Sequence, residues 1–372
     1  MNVDLLTQRL QSLEELSGPF VSLYLDTSAD SELAPHKIEL RWRELRGQSP
    51  ADDIPEKSWL FLDDVVAGAH RAGRGLVAIT SGEELAFRQS LYTPIRDEVR
   101  VGSLPHLLPF FDWVQDRPTY AVVVVDRTGG EIHVVGGLDD DATVEITGDH
   151  DEIRKVQPGG WSQRRFQNRA EDSWERNAEE VAARLTKMMR EEALPLAVAL
   201  GDVRARSFLR ENCPPDIQRL LFELDVDSNH RDDLEDNKED IEAAVAGIAG
   251  QKIEDTLERF LEERGQADLA AEGLEATFAA LRMGQVESLL IRRTGLEPAA
   301  WYSRSDMSQG ATDRGTLDDI GINDVASARA DEVLVRLALG TGAAICAIPE
   351  LSGDKGPAEG VGAILRFKTD GG

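Results

Sequence analysis

The sequence predicts an α/β protein made of three α/β domains, at 1–116, 117–265 and 266–372. Three observations carry this reading. Short apolar runs rich in β-branched residues alternate with stretches of helical period along the whole chain. Pro94, Pro105, Pro109 and Pro118 punctuate the first boundary, and a long helical pattern ending at Gly265 marks the second. The 372 residues suffice for two to four compact units, and 41% hydrophobic against 30% charged residues is the balance of a globular chain.

In the first domain, alternation marks strands at Phe20 to Asp26, Leu76 to Thr80 and Leu85 to Tyr92, with helical stretches at Leu33 to Arg46 and Leu60 to Ala72. The central domain opens on Tyr120 to Val125, turns through Asp126 to Gly130, returns over Glu131 to Val135 and adds Thr143 to Thr147, a buried strand meander. Phe166, Ala170, Trp174, Ala178, Val181, Ala182, Leu185 and Met189 recur near the helical period and predict a long amphipathic helix that ends by Pro195. A strand at Leu196 to Leu200 and a short helix at Ala205 to Glu211, stopped by Pro214 and Pro215, give a second βα alternation. Acids crowd Asp225 to Glu242, and a long helix runs from about Leu234 to Arg264. The third domain reads as helix Leu269 to Arg282, strand Val286 to Ile291, a long mobile loop within 295–323, helix Val325 to Leu339, and strands Ala343 to Ile348 and Val361 to Phe367.

Composition excludes several classes of function. Lysine plus arginine number 41 against 69 aspartates plus glutamates, a formal charge of −28, which opposes nonspecific adhesion to nucleic acid; any RNA contact must be local. No apolar run approaches the roughly 20 residues of a membrane-spanning helix. Met1 to Asp4 lack the basic and apolar regions of an export signal, and Cys213 and Cys346 form no metal or redox spacing. A cytoplasmic protein without metal or cofactor is therefore expected. Gly73-Arg74-Gly75 and Gly340-Thr341-Gly342 follow helices and open strands, the reverse of a dinucleotide loop, and read as helix C-caps. Asp225, Asp227 and Asn229 match the first calcium-loop spacings, yet His230 stands where the turn glycine belongs and Asp236 where the bidentate glutamate belongs. No GxSxG, HExxH or GxxxxGK occurs, and the six histidines are scattered.

The informative stretch is a charge island. From Arg154 to Ala170 there are five basic residues, Arg154, Lys155, Arg164, Arg165 and Arg169, and no acid. Gly159 and Gly160 leave the backbone permissive, so a basic tip on a strand-to-helix connection suits insertion between phosphate-lined walls. Gly159, Gly160, Trp161, Ser162, Arg164, Arg165, Arg169, Arg154 and Lys155 are the candidate RNA contacts, with stacking available to Trp161 and Phe166. The competing reading makes Trp161 and Phe166 caps on the helix's apolar face. Lys37, Arg41, Arg43 and Arg46 form a second cationic group on the first domain's helix, interleaved with Glu39 and Glu44, as a solvated helix face also would be.

Gly159-Gly160, then Ser162, then Arg165-Phe166, after a strand meander and ahead of a long helix, resemble the central domain of archaeal and eukaryotic translation termination factors. Their loop reads Gly-Gly-Gln-Ser with Arg-Phe two residues on. Trp161 occupies the position of that family's catalytic glutamine. Gln163 instead gives a Gly-Gly-x-x-Gln pattern, similar to the shifted glutamine of peptidyl-tRNA hydrolases in ribosome quality control. Leu281 to Ile291 and Gly360 to Phe367 resemble the opening and the closing strand of the same factors' third, L7Ae-like domain. The likeness covers about 118–372; the first domain matches in size and class only. Within the superfamily the chain most resembles the bacterial branch, which includes actinobacterial release-factor-like proteins and the hibernation factor Balon.

The resemblance implies a release-factor/Pelota-like fold, with a mixed-sheet central domain carrying the Gly-Gly loop and a C-terminal L7Ae-like α/β sandwich. It implies a monomer whose partner is the ribosome, at the A-site rRNA and the tRNA acceptor end, with an elongation-factor-type GTPase as the delivering protein. Lys37 and Arg41 would then face the decoding centre. Two activities stay open. One is a noncatalytic A-site factor of the hibernation or rescue kind. The other is a peptidyl-tRNA hydrolase or release factor in which Gln163 places a water at the ester carbonyl. An indole at 161, with a single donor, is poorly suited to that task.

Overall fold

The computed structural model describes residues 3–14, 16, 18–28, 34–49, 54–69, 73–126, 129–136, 142–147, 161–225, 237–266, 269–351 and 355–367, with backbone alone for 3–7, 14, 34, 142–147 and 161–175. The chain divides into two compact units. One gathers Arg117–Ile248 with the chain start, the other Leu6–Asp116 with Ala249–Gly372. The segments read from sequence as the first and third domains thus share one unit, and the long helix between them contributes to both units.

The N-terminal segment consists of α1 (Val3–Glu14), β1 (Phe20–Asp26), α2 (Ala34–Gln48), α3 (Glu56–Gly68), β2 (Gly75–Ser81), β3 (Glu84–Leu91), β4 (Glu98–Gly102) and α4 (Leu108–Asp116). Its sheet has the order β3-β2-β1-β4, antiparallel throughout. Val21, Leu23 and Leu25 of β1 pack with Leu76 and Ala78 of β2 under Ile38 and Trp42 of α2 and Trp59 and Leu62 of α3. Helix α3 lies about four residues ahead of the span expected from periodicity, because Pro55 fixes its entry. It ends at Gly68, so Gly73 and Gly75 are not caps: they lead into β2, where the Arg74 N–H bonds the Leu91 carbonyl at 2.8 Å. The proline-punctuated stretch after Tyr92 holds β4 and α4, elements that the prolines hid; Pro109 sits in the first turn of α4, where no N–H is needed.

The central unit contains β5 (Tyr120–Asp126), β6 (Gly129–Val135), β7 (Ala142–Thr147), α5 (Trp161–Glu191), β8 (Ala197–Gly201), α6 (Val203–Asn212), α7 (Pro215–Gln218), β9 (Leu221–Glu223) and the start of α8 (Lys238–Gln266). The expected meander and βα alternation form one mixed sheet, β7-β6-β5-β8-β9, antiparallel on the β7 side of β5 and parallel on the β9 side. Successive side chains of a strand point to opposite faces, and here both faces are covered. Ala121, Val123, Val125, Ala197 and Ala199 pack under Val181, Leu185 and Met189 of α5 and Leu209 of α6. Tyr120, Val122, Val124, Leu196, Val198 and Leu200 pack under Ile241 and Val245 of α8. This explains the unbroken apolar run at the start of the unit. Gly201 ends β8 at φ +104, and a Cβ there would run into the Val125 carbonyl oxygen.

The C-terminal segment comprises the rest of α8, β10 (Ala270–Glu272), α9 (Leu274–Arg282), β11 (Val286–Arg292), β12 (Ala299–Ser303), β13 (Gly310–Ala311), α10 (Arg314–Asp319), β14 (Val325–Arg329), α11 (Ala330–Thr341), β15 (Ala344–Ile348) and β16 (Val361–Leu365). Two sheets result, β10-β16-β11-β15 and β13-β12-β14. Three expectations are corrected. The span 295–323 is no long loop but holds β12, β13 and α10. Leu269 to Arg282 is not one helix: Ala270–Glu272 pairs with β16, Gly273 turns at φ +82, and the Glu359 carboxylate accepts the Leu274 N–H at 2.7 Å, a cap supplied from 85 residues away. Val325 to Leu339 splits likewise, its first five residues pairing with β12 before α11 begins. Gly342 does cap α11, at φ +64.

Within this unit the N- and C-terminal segments are joined by polar contacts. Arg293 reaches Asp112 at 2.9 Å and Asp116 at 2.7 Å, and Gln115 both donates to the Ala347 carbonyl and accepts its N–H. Helix α11 is buried from Ala330 to Leu339, including Asp331, Glu332 and Arg336. Among the described residues no helix is long and apolar enough to cross a membrane.

Candidate functional site

Helix α5 begins at Trp161, five residues ahead of the first apolar position that announces it in the sequence. Gln, Arg, Arg and Gln are good helix formers but carry no apolar period, so the pattern alone could not extend the helix through them. Trp161, Ser162, Gln163, Arg164, Arg165 and Arg169 are therefore helical and stand in the first three turns. Gly159, Gly160, Arg154 and Lys155 lie outside the described residues. At 3.6 residues per turn, positions 161, 165 and 169 fall along one side of α5. Position 163 falls in register with 166, 170 and 174, the apolar stripe whose continuation at Ala178, Val181, Ala182 and Leu185 is buried against the sheet.

The electrostatics of this end are unusual. Helix N-termini carry partial positive charge and ordinarily attract acids. The first turn of α5 has none, and three arginines follow within nine residues. A helix N-terminus and a surplus of cationic residues both favour an anion over a cation at this end.

The second cationic group is resolved by the fold into pairs. On α2 the Arg41 guanidinium donates to the Asp26 carbonyl at 2.7 Å and lies 3.3 Å from its carboxylate. Arg43 pairs with Glu39, and Arg46 with Asp63 and Glu56. Lys37 is exposed one turn before Arg41.

A polar cluster that sequence reasoning missed lies where β4 and α4 meet α11 and the turn after β11. A cavity of about 370 Å3 there is lined by Arg96, Glu98, Arg100, His106, Arg293 and Thr294, among others. The buried His106 ring lies 3.5 Å from Glu98 and 3.6 Å from Glu332, longer than good hydrogen bonds, and its own carbonyl accepts from the buried Tyr24 hydroxyl. His106 and Arg100 hold the Glu98 carboxyl down at about 2. Burial, then the neighbouring Asp331, push Glu332 up to about 8 against the opposing pull of Arg329 and Arg100. These residues lie far apart in sequence, so no spacing signal could have found them. Among the described residues no group of three or more potential ligands could hold a metal. Cys213 and Cys346 are buried, and burial pushes both thiols up to about 11.

Comparison with known proteins bears on residues 119–266, which match the model of "Bacterial archaeo-eukaryotic release factor family 2". That match spans the mixed sheet and all of α5. Two uncharacterized proteins of Mycobacterium tuberculosis, MT2704 of strain CDC 1551 / Oshkosh and Rv2629 of strain H37Rv, are each 28% identical over 369 residues, 97% of this chain and 96% of theirs. Among solved structures, the chain is similar to an archaeal translation termination factor, aRF1, at 17% identity and a TM-score of 0.26, covering 99% of each chain. It is also similar to archaeal Pelota in a ribosome-bound model with ABCE1, at 12% identity and a TM-score of 0.39, covering 100% of this chain and 96% of that one.

Proposed function

We propose that this chain is a bacterial archaeo-eukaryotic release factor-like protein that binds the ribosomal A site as a noncatalytic factor of the hibernation or rescue kind, acting in the cytoplasm as a monomer. The observation that carries this reading is the basic, acid-free start of α5 inside the segment that matches the family, with tryptophan where the resembled termination loop has its glutamine. A loop that must place water at an ester needs a small polar tip. A tip that must occupy a cleft lined by RNA needs cationic charge and a stacking surface, and the start of α5 offers Trp161, Arg164, Arg165 and Arg169. The net charge of −28 does not oppose such binding, because counterion release depends on the cations that face phosphate. An elongation-factor-type GTPase is the proposed delivering partner.

The Gly-Gly-x-x-Gln spacing favours a second reading, hydrolysis of peptidyl-tRNA with Gln163 as the water-positioning residue. One experiment separates the two. The purified protein is sedimented with bacterial ribosomes at low and moderate salt, and the same tubes are assayed for peptide released from a stalled complex. Binding without release, weakened in the Trp161→Ala, Arg165→Ala double variant, is the expected result. Release that Gln163→Ala abolishes establishes the second reading. Absence of binding at low salt refutes both.

A further inference from the structure

His106 lies in the connection from β4 to α4, at the seam where the N-terminal segment meets α11 of the C-terminal segment. Its backbone is fastened to β1: the N–H donates to the Ser22 hydroxyl at 3.0 Å, and the carbonyl accepts from the Tyr24 hydroxyl. The side chain, 5% exposed, stands between carboxylates from the two sides of the seam. Nε2 lies 3.5 Å from Glu98 of β4 and Nδ1 lies 3.6 Å from Glu332 of α11. Nδ1 and the facing Glu332 Oε1 are both buried, and neither has a hydrogen-bond partner among the described residues. Two orphaned polar atoms in such a place are costly, and one proton held between them satisfies both.

We propose that Glu332 and His106 form a proton-dependent latch across this seam, in which the Glu332 carboxyl O–H donates to His106 Nδ1 and His106 Nε2–H donates to Glu98. A neutral imidazole has one donor and one acceptor nitrogen, and this chain of bonds uses both. The surroundings decide which acid keeps the proton. Glu98 has Arg100 at 2.7 Å as well as the ring, which together hold its carboxyl down at about 2, so it accepts. Glu332 is 3% exposed, and Arg329 of β14 grips the adjacent Asp331 at 2.8 Å instead. Burial, then Asp331, push Glu332 up to about 8 against Arg329 and Arg100. Tyr24, whose ring meets the imidazole edge-on, is pushed well above its ordinary value by burial and then by Glu98, and stays protonated. On the cavity side stand Arg96, Asp97 and Arg293, the last held by Asp112 and Asp116, and one turn along α11 Arg336 stacks on Tyr302.

When Glu332 gives its proton to solvent, a carboxylate oxygen faces a ring lone pair inside the seam, and attraction between β4 and α11 turns to repulsion. An acid raised in the closed state favours closure fully below about pH 4.5, loses that effect as pH rises to about 8, and changes no further above. Parting the seam releases one proton, so the parted population grows about ten-fold per pH unit inside that window. Arg293 with Asp112 and Asp116, and Gln115 with Ala347, hold the α4 end, so parting is confined to β4 and the first turns of α11. The latch is internal to the chain and does not depend on the proposed ribosome binding.

Two measurements on the full-length protein test it. Imidazole 15N shifts at pH 6.5, with His106 identified among the six histidines by its loss in His106→Gln, are expected to show Nδ1 bare and Nε2 protonated. Amide hydrogen exchange, corrected for its intrinsic base catalysis, is then followed from pH 6 to 8.5. Protection of β4 and the start of α11 is expected to fall about ten-fold per pH unit up to about pH 7.5 in wild type and in Glu287→Gln, an exposed acid paired with Arg259 away from the seam. In Glu332→Gln, whose amide offers Nδ1 a donor at every pH, protection is expected to stay level. A proton on Nδ1, a level profile in wild type, or a fall that persists in Glu332→Gln would each overturn the latch. Should thermal unfolding show that Glu332→Gln does not fold, the ring shifts and the wild-type profile still decide.

Discussion

Replacing Glu332 by glutamine tests how the buried polar cluster is charged. The side chain is 3% exposed on a helix enclosed along its length, and its carboxyl is pushed up to about 8 by burial and by Asp331. An acid whose folded-state value is raised favours the protonated native state. Its contribution to stability is fully present below about pH 4.5, is lost as pH rises from there to about 8, and changes no further above that. At about 1.4 kcal/mol per pH unit, that loss reaches about 3 kcal/mol at pH 7 and about 5 kcal/mol above pH 8. Glutamine keeps the shape and carries no such cost. Unfolding by urea between pH 5 and 8.5, followed by tryptophan fluorescence, reads this unit through Trp42, Trp59, Trp113 and Trp301. The variant's advantage over wild type is expected to grow from under 1 kcal/mol near pH 5 to several kcal/mol at pH 8.5. Thiols held at about 11 stay silent over the range. A difference that stays flat across the range would refute the reasoning.

Two further substitutions probe the frames that carry the proposed contacts. Gly201→Ala, which sets a Cβ against the Val125 carbonyl at φ +104, should destabilise the central unit by at least about 3 kcal/mol, read as a lowered midpoint in urea; an unchanged midpoint would show that the β8 end relaxes freely. Arg293→Met removes the cation facing Asp112 and Asp116, and because these groups keep about 30% exposure the loss should be moderate, about 1 to 3 kcal/mol; hydrogen exchange should rise in α4 and β15 together, and a rise in neither would discount the bridge.

Much of this protein was legible in the sequence, and for a consistent reason. Periodicity reports local geometry plus which side is covered. The Tyr120 to Val135 hairpin, the strand at Leu196 to Leu200 and the long helices α5 and α8 have patterns that agree with their final surroundings. So do the acid-free run and the Trp161 substitution, which need no coordinates to be seen. Segments misread were those whose state is set by a distant partner. Ala270–Glu272 is a strand because β16 pairs with it, and α9 starts at Leu274 because Glu359 caps it from far along the chain. Val325–Arg329 has residues that suit a helix equally well and is extended only because β12 lies alongside. The helical start of α5 escaped notice because its residues favour a helix without marking a face.

The sequence by itself determined the α/β class, the mixed central sheet and the charge island, since each follows from residue types at short separation. Only the tertiary structure decided that 6–116 and 249–372 form one unit. It alone set His106 between Glu98 and Glu332. Such placements depend on closing loops of tens to hundreds of residues, and the free energy that closes them comes from apolar burial spread over the whole core, which no local pattern records.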